Sequence, residues 1–121
     1  FLENDSISEA DALWILQSDK VVRDNTFLSQ ILKQAWDKSF AVFSANPSHV
    51  KRGALFATFP DNVKLGERLG NLINQENFPA TPFVEPLSDL RTAFNTRTAE
   101  HLKLKVNRND QKSFDIVFPN R

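Results

Sequence analysis

The chain has 121 residues, 15 basic and 15 acidic side chains, no formal net charge, no cysteine and 40% hydrophobic residues. This length suits one compact domain, and the balanced charge gives no bulk attraction to nucleic acid or an anionic membrane. The lack of cysteine excludes disulfides, thiolate catalysis and Cys-ligated zinc, and no apolar run approaches membrane-spanning length. Methionine is absent even at position 1, which leads us to expect a chain that begins at an internal residue of a processed or longer protein.

Residues 1–10 are polar and read as an irregular lead-in. Residues 11–17 form a short apolar run without alternation, which suits a strand covered on both faces, and Ser18-Asp19-Lys20 ends it in a polar turn. Over residues 26–39, Phe27, Leu28, Ile31, Leu32, Ala35 and Trp36 recur at helical spacing and form one stripe. Asp24 or Asn25 can cap that helix. Residues 40–45 read as a second buried strand, closed by the turn signal Asn46-Pro47. Ser48 is placed to cap a short helix that Gly53 ends.

Residues 54–59 read as a third strand. Pro60-Asp61 breaks it and introduces a helix over 62–75, whose apolar side holds Leu65, Leu69, Leu72 and Ile73. Gly66 and Gly70 share a face of that helix. Each costs about 1 kcal/mol relative to alanine in a helix interior, which is rational where another backbone packs closely. Pro79, Pro82 and Pro86 then surround an extended stretch, 81–87. A strand over 90–95, a short helix over 96–104 and a strand over 114–118 follow. The alternation of strands and helices implies an α/β fold with a parallel sheet and right-handed crossovers.

Little in the sequence points to catalysis. His49 and His101 are far apart without a second ligand at helical spacing, and both read as solvated surface residues. No Gly-x-Ser-x-Gly elbow, Gly-x-Gly-x-x-Gly loop or P-loop is present, so we expect a binder rather than an enzyme, with no metal and no cofactor. Open α/β sheets bind ligands beyond the carboxyl ends of their strands. Asp19 stands there after the first strand, where a carboxylate can accept hydrogen bonds from a ligand amine or hydroxyl. Ser44, Ala45 and Asn46 stand there after the second, small enough to let a ligand approach the backbone. The same residues also suit ordinary turns and helix caps. Trp14, Trp36 and most of the 11 phenylalanines are assigned to core packing.

Gln17-Ser18-Asp19 after an apolar strand, Ser44-Ala45-Asn46, the run from Val50 through Lys51, Arg52, Gly53 and Ala54 to Leu55, and Leu65-Gly66 together resemble the C-terminal part of ABC-transporter substrate-binding proteins. These belong to the type 1 periplasmic-binding-protein superfamily. Pro79, Pro82, Asn95, Ala99 and Leu102 continue the likeness, which runs from Asp11 to Leu104 and rests on order and spacing rather than one motif. The resemblance implies one Rossmann-like, three-layer lobe, with residues 11–121 as the later part of a two-lobed protein and Phe59-Pro60-Asp61 as a crossing between lobes. Residues 60–78 would pack on the other lobe. It also implies a small-molecule solute such as an amino acid, a membrane ABC permease as partner and a periplasmic or extracytoplasmic location. Gln17, Ser18, Asp19, Ser44, Ala45 and Asn46 are the ligand-binding candidates. Lys20 and Arg23 beside Asp19 depart from the usual polar turn of these proteins. A ligand-sensing or protein-interaction module coupled to a signalling protein is the alternative. Without its other lobe, the chain is expected to dimerise by exchanging the glycine-bearing helix.

Overall fold

The computed structural model describes residues 11–17 and 25–120. In chain order these form β1 (Ala12–Ile15), α1 (Asn25–Lys38), β2 (Ala41–Ser44), α2 (Pro47–Arg52), β3 (Phe56–Pro60), α3 (Asn62–Ile73), β4 (Leu90–Asn95), α4 (Thr96–His101), α5 (Arg108–Gln111) and β5 (Ile116–Phe118). The lead-in over 1–10 lies outside the described residues.

The strands form one sheet in the order β1-β2-β3-β4-β5. β1, β2 and β3 are parallel, as the alternating pattern predicts. β4 instead runs antiparallel to β3, and β5 is parallel to β4. The reversal has a simple cause. The chain leaves the sheet at Pro60 and re-enters at Leu90, its direct partner in register. A strand that returns at the point of exit must run the other way.

Each face of the sheet carries its own core. On one face Val42, Ala57 and Ala93 pack with Leu28, Ile31 and Ala35 of α1, Val50 of α2, and Phe40 and Ala54. Ala57 and Ala93 are fully buried, and their small size leaves room for the helices to lie close to the strands. On the other face Phe43, Phe56 and Phe94 stand in direct register across three strands. Phe114 stacks on Phe94 at 4.5 Å and meets Phe56 edge-on at 6.0 Å. Such aromatic pairs add about 0.5–1.5 kcal/mol beyond area burial.

Both tryptophans depart from the expected core placement. Trp14 continues the aromatic row opposite Phe43 but is 62% exposed, because β1 is the last strand of the described sheet and Phe114 covers the β3–β4 side. Trp36 lies at the edge of the α1 stripe, stacked on His101 at 3.7 Å. The helix ends also refine the sequence picture. Asn46, not Ser48, caps α2, since its side chain accepts from the Ser48 N–H at 2.9 Å. Gly53 closes α2 with φ of 131°, a conformation that favours glycine. α5 was not anticipated, because four residues show no periodicity; a capping box between Asn107 and Asp110 nucleates it.

α3 buries no residue against the sheet domain. A Cβ added at Gly66 or Gly70 would meet nothing within 4 Å, so among the described residues none packs closely on that face. What holds α3 is Arg68, whose Nε reaches Asp89 at 2.6 Å and whose Nη1 reaches Glu85 at 3.2 Å. The Asp61 N–H also donates to the Asp89 carbonyl at 2.8 Å.

Asn95 joins the two halves of the domain. Its Nδ2 donates to the Val50 carbonyl at 2.7 Å, and its Oδ1 accepts from the Thr98 N–H at 3.0 Å. Asn95 is buried, so truncation leaves polar groups without partners. Asn95→Ala is expected to cost about 1–3 kcal/mol, read as a lower urea midpoint with an unchanged slope; an unchanged midpoint would show that the link is dispensable.

Candidate ligand-binding edge

The carboxyl ends of β1 and β2 lie side by side, because Ile15 pairs with Ser44. This brings Gln17, Ser44, Ala45 and Asn46 around one small indentation, with Ile15, Leu16 and His49 completing its wall. Four of the six candidate residues therefore share an edge. Ser18 and Asp19 lie outside the described residues, as do Lys20 and Arg23.

The four differ in what they offer a ligand. Gln17 is exposed and Ala45 half-buried. Ser44 is only 2% exposed. Its Oγ accepts from the Asn46 N–H at 3.1 Å and lies 2.7 Å from His49 Nδ1. The hydroxyl is thus occupied in shaping the loop. Asn46 uses its Oδ1 as the α2 cap, which leaves its Nδ2 as the polar group available at the rim.

His49 corrects the sequence expectation of a solvated histidine. It is buried beside the fully buried Val50, because both fall on the sheet-facing side of α2. The signal lay in its distance from the Asn46-Pro47 helix start: the third helical residue of a short helix tucked against a strand points inward. Burial lowers its pKa from the ordinary histidine value, and the Arg52 charge lowers it further. The neutral ring accepts a hydrogen bond from the Ser44 Oγ–H at Nδ1 when its own proton sits on Nε2, a tautomer assigned from this contact. Among the described residues no group of three or more metal-ligating side chains exists.

A folded-state pKa below the unfolded value means that stability is complete above about pH 6.5 and is lost as pH falls through the folded pKa. The urea midpoint is expected to drop between about pH 7.5 and about pH 5.5, and His49→Gln should flatten that drop. Equal slopes in the two proteins would contradict a buried neutral imidazole.

No protein-family model matches the chain, and no curated protein matches it. Solved structures do. A conserved domain protein from Vibrio cholerae matches with a TM-score of 0.59 and 19% identity, over 90% of this chain and 37% of that one. The ligand-free, open structure of CD0873 from Clostridium difficile, a substrate-binding protein with adhesive properties, matches with a TM-score of 0.61 and 21% identity, over 88% and 35%. An ABC domain from Streptococcus pneumonia in complex with L-Trp matches with a TM-score of 0.58 and 19% identity, over 89% and 38%. The chain spans little more than a third of the length of these structures. The chain shares a Rossmann-like α/β fold with part of these structures, the fold class that the order of its motifs implies.

Proposed function

We propose that this chain is part of a solute-binding protein, a binder rather than an enzyme, that holds a small molecule such as an amino acid between two lobes and delivers it to a membrane ABC permease. The observation that carries this reading is the excursion over 61–89. The chain exits the sheet at Pro60, forms a helix with no buried residue, and returns at Leu90. Val63 is 72% exposed and Ile73 66%, with Leu69, Phe78 and Phe83 also uncovered. An apolar surface of this kind needs a partner, and a second lobe packed on residues 60–78 would supply one. The shared fold with a substrate-binding protein supports the same reading. On this lobe Gln17 and Asn46 would contact the solute directly while Ser44 and Ala45 shape the edge, and Ser18 and Asp19 are kept as further candidate contacts. Closure of the two lobes would then be favoured by contacts that only the closed state makes. An extracytoplasmic location follows from this role.

The site would be incomplete in the isolated chain. Calorimetry of the 121-residue chain against a panel of amino acids is expected to give no measurable heat of binding. The same panel should yield a ligand when the chain is joined to its upstream coding sequence, and Gln17→Ala should then weaken it by about tenfold. Micromolar binding by the isolated chain would contradict a site shared between lobes.

Left alone, the exposed surface of α3 would be covered by a second copy, with α3 exchanged between protomers. Sedimentation should show a concentration-dependent dimer that Leu69→Lys with Ile73→Lys returns to monomer. A stable monomer of the unaltered chain at high concentration would rule this out.

A further inference from the structure

The end of the sheet opposite the candidate ligand edge has its own chemistry. Because β4 is antiparallel to β3, Asn95 ends β4 level with Leu55, just before the start of β3, and the space it faces shares no lining residue with the indentation at Ser44 and Asn46. There α1, the end of α2, the start of α4 and the tail after β5 enclose an open groove of about 680 Å³. Lys33, Lys51, Arg52 and Arg97 line it over an apolar floor that includes Leu32 and Phe118, and none of its lining residues is acidic. In a chain with no net charge, this is a marked segregation of cations.

These cations are held mainly by neutral groups. The Arg52 guanidinium donates to Asn25 Oδ1 at 3.0 Å and to Ser29 Oγ at 2.7 Å. The Arg97 guanidinium lies 5.8 Å from the centre of the Trp36 ring, which is itself stacked on His101. Such contacts orient a guanidinium without cancelling its charge. Lys33 pairs with Asp37 at 2.9 Å, but both side chains are exposed, and a pair of that kind is weak and readily exchanged. Lys51, Arg52 and Arg97 make no salt bridge among the described residues.

We propose that this groove is a docking site for an acidic polypeptide segment, separate from the solute edge. The charges come from three helices around an open trough rather than converging on one point, so a single phosphate or carboxylate would meet few of them. An extended chain bearing several carboxylates meets the arginines through charge-assisted hydrogen bonds. Its aliphatic stems lie on Leu32 and Phe118.

Fluorescence anisotropy with a labelled Glu-rich peptide tests this on the whole chain at low salt. Saturable binding is expected, weakening as salt rises and falling by about tenfold or more in a Lys51→Glu, Arg97→Glu double variant. A Lys105→Glu, Lys112→Glu variant, which reverses two charges outside the groove, should bind as the unaltered chain does. Circular dichroism establishes that both variants are folded. The proposal is overturned if the peptide does not saturate, if the two variants lose binding equally, or if inorganic polyphosphate of matched charge binds as tightly. These outcomes are distinguishable from loss of solute binding, since neither variant alters a residue of the candidate edge and the groove shares no lining residue with it.

Discussion

The antiparallel pairing of β4 with β3, from Phe56 opposite Phe94 to Pro60 opposite Leu90, sets the shape of this molecule. A parallel continuation would have buried the segment after β3 as one more crossover helix on the sheet. The reversal instead sends residues 61–89 out from one end and brings them back to the same place. It also carries Asn95 to the other end, where its side chain meets the Val50 carbonyl. The two ends of the sheet thereby differ. One has the carboxyl ends of β1 and β2 and the root of the excursion; the other has the cationic groove.

Packing energy is distributed to match. The domain around the sheet is closed by small, fully buried residues such as Ala57 and Ala93 at its centre and by the phenylalanine row on its second face. The excursion has no such core. Arg68 ties α3 to Glu85 and Asp89, and contacts of that kind fix direction more than they stabilise. Apolar side chains left uncovered at Val63, Ile73 and Val84 give up the burial worth about 25 cal/mol per Å². A lobe built this way gains stability from a second body, which is the physical basis of the two-lobe reading.

Much of this was legible in the sequence because the signals are local. Short apolar runs bounded by turn residues marked β1, β2 and β3, the stripe from Leu28 to Ala35 marked α1, and Pro60-Asp61 marked the start of α3. What escaped depends on neighbours distant in the chain. Periodicity identifies which side chains share a face but not whether anything covers that face, so Trp14 was placed in a core that its edge strand lacks. His49 shows the converse: a short helix pressed against β2 buries a residue that composition assigns to solvent. The antiparallel return was hidden because a proline-rich stretch says that the chain leaves the sheet, not where it re-enters. At the candidate edge, the sequence identified residues that the topology brings together. It did not separate Ser44, committed to His49, from Gln17 and Asn46, which face outward with groups to offer.

Hydrogen exchange along the chain probes the separation of α3 from the sheet domain most directly. Amides of α3 should exchange much faster than those of β3 and β4 in the chain at concentrations low enough to keep it monomeric, since opening a helix with no buried residue requires little more than local unfolding. They should become protected in a longer polypeptide that includes the upstream sequence. Protection of α3 in the isolated monomer equal to that of β3 would contradict the two-lobe reading.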